Sequence, residues 1–130
     1  TVRHRKETDV KHTFTHFEIP ADDVERAKTF YGELFGWQMA LVEGYDDYWM
    51  FQTGDERDLS GGMMKRQAPG QGPVYYVQVE SVDDSAAKVE ELGGKVIMPK
   101  SPVPGMGWFV HFADPEGNIF ALWEDDASAG

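Results

Sequence analysis

The 130-residue chain contains no cysteine. That excludes a disulfide scaffold, a thiolate metal site and a cysteine nucleophile. No apolar run approaches the roughly 20 residues of a membrane span, and the first residues carry no apolar signal core, which reads as a cytoplasmic protein with no membrane role. Positive charge is scarce. Twelve Lys and Arg face 23 Asp and Glu, for a net charge of −11. Residues 1–16 hold Arg3, Arg5, Lys6 and Lys11 against Glu7 and Asp9, a local +2, so the remaining 114 residues carry −13. Such a body repels phosphate backbones, which argues against nucleic acid as a partner. A cationic small ligand would be attracted, although solubility alone also accounts for the charge. Phosphate-loop and dinucleotide spacings, a His-x-x-x-His helix and a Gly-x-Ser-x-Gly elbow are all missing, so nucleotide, zinc-protease and serine-hydrolase chemistry lack support.

What is present is the composition of a folded domain, 41% apolar and 13% aromatic. Residues 1–12 lack periodicity and read as a flexible arm. Phe14–Ile19 alternates as a strand does, and Pro20 is expected to end it. Asp22-Asp-Val-Glu25 has capping-box spacing, Val24, Ala27, Phe30, Tyr31 and Leu34 recur at helical period, and Gly36 stops the helix. Trp37–Val42, Tyr48–Thr53 and Gly61–Lys65 read as three strands. A Pro/Gly-rich linker over 66–73 follows. The pattern then starts again: strand Val74–Val79, a helix capped by Ser81 and stopped by Gly93-Gly94, and strands Lys95–Met98, Trp108–Ala113 and Ile119–Trp123. A Pro/Gly loop over 99–107 precedes Trp108. Glu124-Asp-Asp126 reads as solvated, and residues 125–130 as an acidic tail.

The two halves align at an offset of 58, with Val24 on Val82, Glu33 on Glu91, Leu34 on Leu92 and Gly36 on Gly94. The repeated order βαβββ is stronger evidence for a repeat than these identities. Asp114-Pro-Glu-Gly-Asn118 predicts a three-residue hairpin with a bulge at Gly117, which sets His111 opposite Ala121 and Phe109 opposite Trp123.

His16-x6-Asp23-Val-Glu-Arg-Ala27, followed by Phe30-Tyr31, Leu34-Phe-Gly-Trp37 and the closing Asp114-Pro-Glu-Gly-Asn118, resembles the glyoxalase/bleomycin-resistance family, also called the vicinal oxygen chelate superfamily. The resemblance covers about residues 13–124. It implies an α+β fold of two tandem βαβββ modules, 13–65 and 74–124, forming an open curled sheet around a cleft, and it implies a homodimer. In the family's metal enzymes, four ligands on cleft-facing strands hold a divalent ion that chelates substrate oxygens. The matching positions here are His16, Met63, Val74 and Ala121. Valine and alanine have no donor atom and a thioether suits such metals poorly. The resemblance therefore points to a protein with no metal and no cofactor that binds a small organic molecule. The alternative is an enzyme with relocated metal ligands, or one using His16 and Glu18 for acid–base chemistry.

Strand period puts His16 and Glu18 on one face. Expected beside them in one continuous cavity are Trp49, Met63, Tyr76, Gln78, Trp108, Phe109, His111, Ala121 and Trp123, with Trp108 following a loop that could act as a lid. The polar anchors are His16, Glu18, Gln78 and His111. Blander readings stand beside these. The histidines could be partly exposed strand residues, Glu18 an edge-strand charge that prevents aggregation, and the aromatics a subunit interface.

Overall fold

The computed structural model describes residues 11–54 and 59–130. Most of the N-terminal arm, including His4 and its three cations up to Lys6, lies outside the described residues. The described residues divide into two compact units, Thr15–Tyr75 and Tyr76–Gly130, the latter together with residues 11–14.

The first unit is built from β1 (Phe14–Ala21), α1 (Val24–Phe35), β2 (Ala40–Leu41), β3 (Trp49–Gln52) and β4 (Ser60–Lys65). Its strands run in the order β2-β3-β4-β1, with β1 parallel to β4 and the other neighbours antiparallel. The second unit contains the greater part of β5 (Val74–Gln78), then α2 (Val82–Glu91), β6 (Lys95–Val103), β7 (Gly107–Ala113) and β8 (Ile119–Asp125). Its strand order is β5-β8-β7-β6. The order βαβββ thus occurs twice, and the fold is α+β. No helix among the described residues is long and apolar enough to cross a membrane.

Both helices are amphipathic and lie on one face of their strands. Ala21, Val24, Phe51 and Met63 form the first buried cluster, and Val79, Val82, Val110 and Leu122 the second. Burying a side chain such as Phe51 or Met63 stabilises the fold by about 1.5–3 kcal/mol. Alternate residues of each strand therefore face the helix, and the others face away.

Several local expectations shift. The cap of α1 is Asp23, whose carboxylate accepts from the Arg26 amide at 3.0 Å, so the box expected at Asp22–Glu25 is displaced by one residue. Asp22 instead pairs with Arg66 at 2.9 Å. β1 continues through Pro20 to Ala21, opposite Met64 and Lys65. Trp37–Met39 leave the ladder because Trp37 stacks among Tyr31, Phe35 and Phe51, with ring centroids 4.8–5.7 Å away. β6 runs on through Pro99 and Pro102, where a loop is expected. It ends the strand order and carries two register irregularities, and both features let proline enter a sheet. Nor is the C-terminal stretch a solvated tail. Glu124 accepts the Val82 amide at the start of α2, Asp126 accepts from Trp108 Nε1 at 3.0 Å, and the Ala129 carbonyl accepts the Gly105 amide.

The Asp114–Asn118 hairpin forms as its residues dictate. Gly117 sits at φ 85°, the Asp114 amide donates to the Asn118 carbonyl, and His111 pairs with Ala121 and Phe109 with Trp123. The Asp114 carboxylate accepts from the Asn118 and Glu116 amides, which holds its pKa below the ordinary value.

Candidate functional site

On the first unit, the parallel pairing of β1 with β4 sets His16 beside Ser60 and Glu18 beside Gly62. These residues lie on the face turned away from α1, since Phe17, Ile19 and Ala21 pack into the helix-side core. Tyr48, at the foot of β3, lays its phenol across the same face. Its hydroxyl donates to Glu18 Oε2 at 2.7 Å and lies 2.8 Å from His16 Nε2. His16 Nδ1 lies 2.8 Å from Ser60 Oγ. Side chains from β1, β4 and the foot of β3 thus form one hydrogen-bonded chain, Ser60–His16–Tyr48–Glu18.

Two adjacent glycines make this possible. A β-carbon on Gly62 would overlap the Tyr48 hydroxyl, and one on Gly61 would overlap the Phe51 ring on the opposite face. Gly61-Gly62 is therefore a double seat for aromatic rings, and a glycine inside a strand marks such a close approach.

Burial governs the electrostatics. Glu18 is only 8% exposed, so it is not a solvated edge charge. Loss of water around His16 pulls its pKa from 6.5 to about 4, which leaves a neutral imidazole at pH 7. Burial and then the Glu18 carboxylate push the Tyr48 phenol well above its ordinary value, so its proton is firmly held. Tyr48 also lines a groove of about 600 Å³ together with Leu41, Tyr45, Asp46, Trp49, Met64 and Lys65. That volume falls within the range of small-molecule sites.

On the second unit, Tyr76, Phe109 and His111 form an aromatic group. The Tyr76 hydroxyl is 3.1 Å from His111 Nε2, and the two rings meet edge-on at 5.7 Å. Phe109 lies 5.5 Å from His111. Burial lowers the His111 pKa. Ala121 is fully buried opposite His111. Gln78 and Trp123 both donate to Asp125, at 2.5 and 2.7 Å, which ties them together one step along the strands.

Of the residues assigned to the cavity, Met63 and Trp108 lie elsewhere, and Trp49 sits between the first core and the groove. Met63 is 0% exposed within the helix-side core of the first unit. The offset of 58 is measured on the helices. It misplaces β4 by one residue, and a one-residue slip flips every side chain to the other face. Trp49, paired with Met63, packs against the same core, with the Lys28 ammonium 3.0 Å from its ring centroid. Trp108 packs against the second core, with Lys100 over its ring and Asp126 holding its indole nitrogen. Two members of the hydrogen-bonded chain are absent from the lining expected from sequence. Tyr48 is visible there only as one aromatic among many, and Ser60 gives no signal at all. Gly62 is the available clue.

The donors do not fit the metal that the fold family implies. Both ring nitrogens of His16 and the Glu18 carboxylate are engaged in the chain, Met63 faces the core, and Val74 and Ala121 carry no donor. Among the described residues no three His, Asp or Glu side chains are grouped so as to hold a metal ion.

Paired βαβββ units with cradled aromatic rings define the structural class. A family model described as bleomycin resistance protein-like N-terminal matches residues 13–54. A glyoxylase-like domain-containing protein from Didymella fabae is 34% identical over 112 residues, covering 81% of this chain and 88% of that protein. The chain belongs to the glyoxalase/bleomycin-resistance superfamily. The anthracycline biosynthesis protein DnrV of Streptomyces peucetius is 29% identical over 131 residues, covering 88% of this chain and 47% of that protein. The chain thus spans about half the length of that relative. Methylmalonyl-CoA epimerase from Mycobacterium tuberculosis shares the fold, with a TM-score of 0.68, 14% identity and coverage of 95% of this chain and 93% of that one.

Proposed function

We propose that this protein binds a small, planar, partly apolar organic molecule without a metal, on the face of the first unit formed by His16, Tyr48, Ser60 and Glu18. The observation that carries this reading is the hydrogen-bonded chain itself. It occupies the nitrogens and the carboxylate that a metal would need, and it holds one aromatic ring beside a groove of ligand size. Tyr45 lies 6.3 Å from Tyr48 at an angle of 50°, an aromatic corner suited to a flat ring system. The relative named for anthracycline biosynthesis supports a polycyclic aromatic ligand. The second unit's Tyr76, Phe109 and His111 are proposed as ligand-facing residues of that unit. A homodimer is part of this reading, supported by the exposed Phe30, Leu34 and Phe35 of α1.

A second reading is proton transfer with Glu18 as the base, favoured by a buried carboxylate on a hydrogen-bonded chain. Titration with an anthracycline such as daunorubicin, followed by quenching of tryptophan fluorescence, tests binding. Saturable binding that weakens at least about 10-fold in Tyr48→Ala is the expected result, the effect of losing roughly 1.4 kcal/mol. Unchanged affinity in that variant refutes the assigned face.

A further inference from the structure

Helix α1 carries the charged residues Glu25, Arg26, Lys28 and Glu33. Glu25 and Lys28 pair with each other at 3.1 Å, and the Lys28 ammonium also covers the Trp49 ring. Among the described residues neither Arg26 nor Glu33 makes an ion pair. Val24, Ala27 and Tyr31 turn toward the core. Arg26, Phe30 and Leu34 follow at a spacing of four and form one ridge on the outer flank, with Glu33 beside it. Phe30 and Leu34 are 58% and 57% exposed. The module does not require an aromatic ring there. At the offset of 58 that aligns the two helices, Phe30 falls on Lys88 of α2, and α2 packs on its own core all the same.

We propose that this ridge is the contact between two copies of the chain, with α1 crossing the partner's α1 in antiparallel sense about a twofold axis at Phe30. The inference rests on the homodimer of the proposed function and gives it an interface. The charges select both the occupant and the direction. At 1.5 Å of rise per residue, Arg26 lies about 6 Å before Phe30 and Glu33 about 4.5 Å after it. A twofold axis at Phe30 therefore sets each Arg26 alongside the partner's Glu33, so that two opposite-charge pairs border the joined apolar side chains. A parallel crossing would set Arg26 against Arg26 and Glu33 against Glu33. An isologous contact has to be complementary to itself, and this pattern meets that condition. Rows spaced by four also interdigitate in the commonest class of helix crossing.

The experiment is sedimentation equilibrium of the full chain, with circular dichroism to follow folding. Wild type should be a dimer at micromolar concentration. Phe30→Lys, the residue that the repeat itself carries, should keep its spectrum and weaken association at least about 30-fold, since each dimer loses two central aromatic side chains. Arg26→Glu and Glu33→Arg each turn both pairs into like-charge contacts and should weaken it at least about 10-fold. Mixed in equal amounts, these two variants regain two opposite-charge pairs across the axis and should form a heterodimer near wild-type affinity. A dimer that Phe30→Lys leaves unchanged, or charge variants that associate no better mixed than alone, overturns the α1 contact while the homodimer stands on another surface. If Phe30→Lys loses its fold, the mixing experiment decides. A wild-type monomer throughout overturns the homodimer and this contact together, and leaves ligand binding to its own titration.

Discussion

Replacing Gly62 with alanine adds one methyl group and should disconnect the whole polar chain. The new β-carbon would occupy the position of the Tyr48 hydroxyl and crowd its ring, so the phenol must swing away. Two hydrogen bonds then break, the 2.7 Å bond to Glu18 and the 2.8 Å bond to His16. A hydrogen bond to a charged group contributes about 1.5–3 kcal/mol, and a buried polar group left unpaired costs about 1–3 kcal/mol. Against this, alanine in a strand gains roughly 0.5–1 kcal/mol over glycine in backbone entropy. The net expectation is a loss of about 2–3 kcal/mol. At roughly 3–5 °C per kcal/mol for a chain of this size, the melting temperature should fall by about 10 °C. Calorimetry or urea unfolding measures this. Tyr48→Phe removes the hydroxyl but keeps the ring, and should lose about 2 kcal/mol. The double variant should fall well short of the sum, because the hydroxyl that the added methyl would strike is gone. A Gly62→Ala protein within about 0.5 kcal/mol of wild type, or strict additivity of the two changes, refutes the cradle reasoning.

His16 has a folded-state pKa of about 4 against 6.5 for an unperturbed histidine, so the unfolded chain binds the extra proton between these values. The stability this provides is fully present above pH 6.5 and is lost as pH falls toward 4, by up to about 3 kcal/mol. The difference between wild type and His16→Asn in urea midpoints across that window isolates it, and a flat difference contradicts the burial. Elemental analysis of untagged protein should find well below one equivalent of zinc, nickel, iron or manganese; a full equivalent that disappears in His16→Ala defeats the metal-free reading. Light scattering at micromolar concentration should give near twice 14.7 kDa, and a monomer throughout that range removes the dimer from the proposal.

Elements closed by short-range hydrogen bonds are written locally in the chain. Asp23 and Ser81 reach amides three residues ahead, Gly36 ends α1 through its left-handed conformation, and the Asp114–Asn118 turn holds its own register. Because that turn is local, the pairing of His111 with Ala121 and of Phe109 with Trp123 was legible residue by residue. The buried face of the helices was legible from period only in part: Val24, Ala27 and Tyr31 pack on the first core, whereas Phe30 and Leu34 of the same periodic set are exposed. Whatever depends on pairing between distant segments was not legible. The register of β4 against β1 joins residues 44 positions apart, and no local signal specifies it to within one residue. That single step moves Met63 into the core and puts Gly62 on the outer face. Pro99 and Pro102 read as loop residues because only the strand order reveals β6 as the terminal strand, where a missing amide leaves no neighbour unsatisfied. Ser60 and Tyr48 are ordinary residues in sequence. They become a site only when the tertiary structure brings them to His16 and Glu18 and buries the chain they form, because hydrogen bonds between segments 30 to 44 residues apart exist only once the strands have paired.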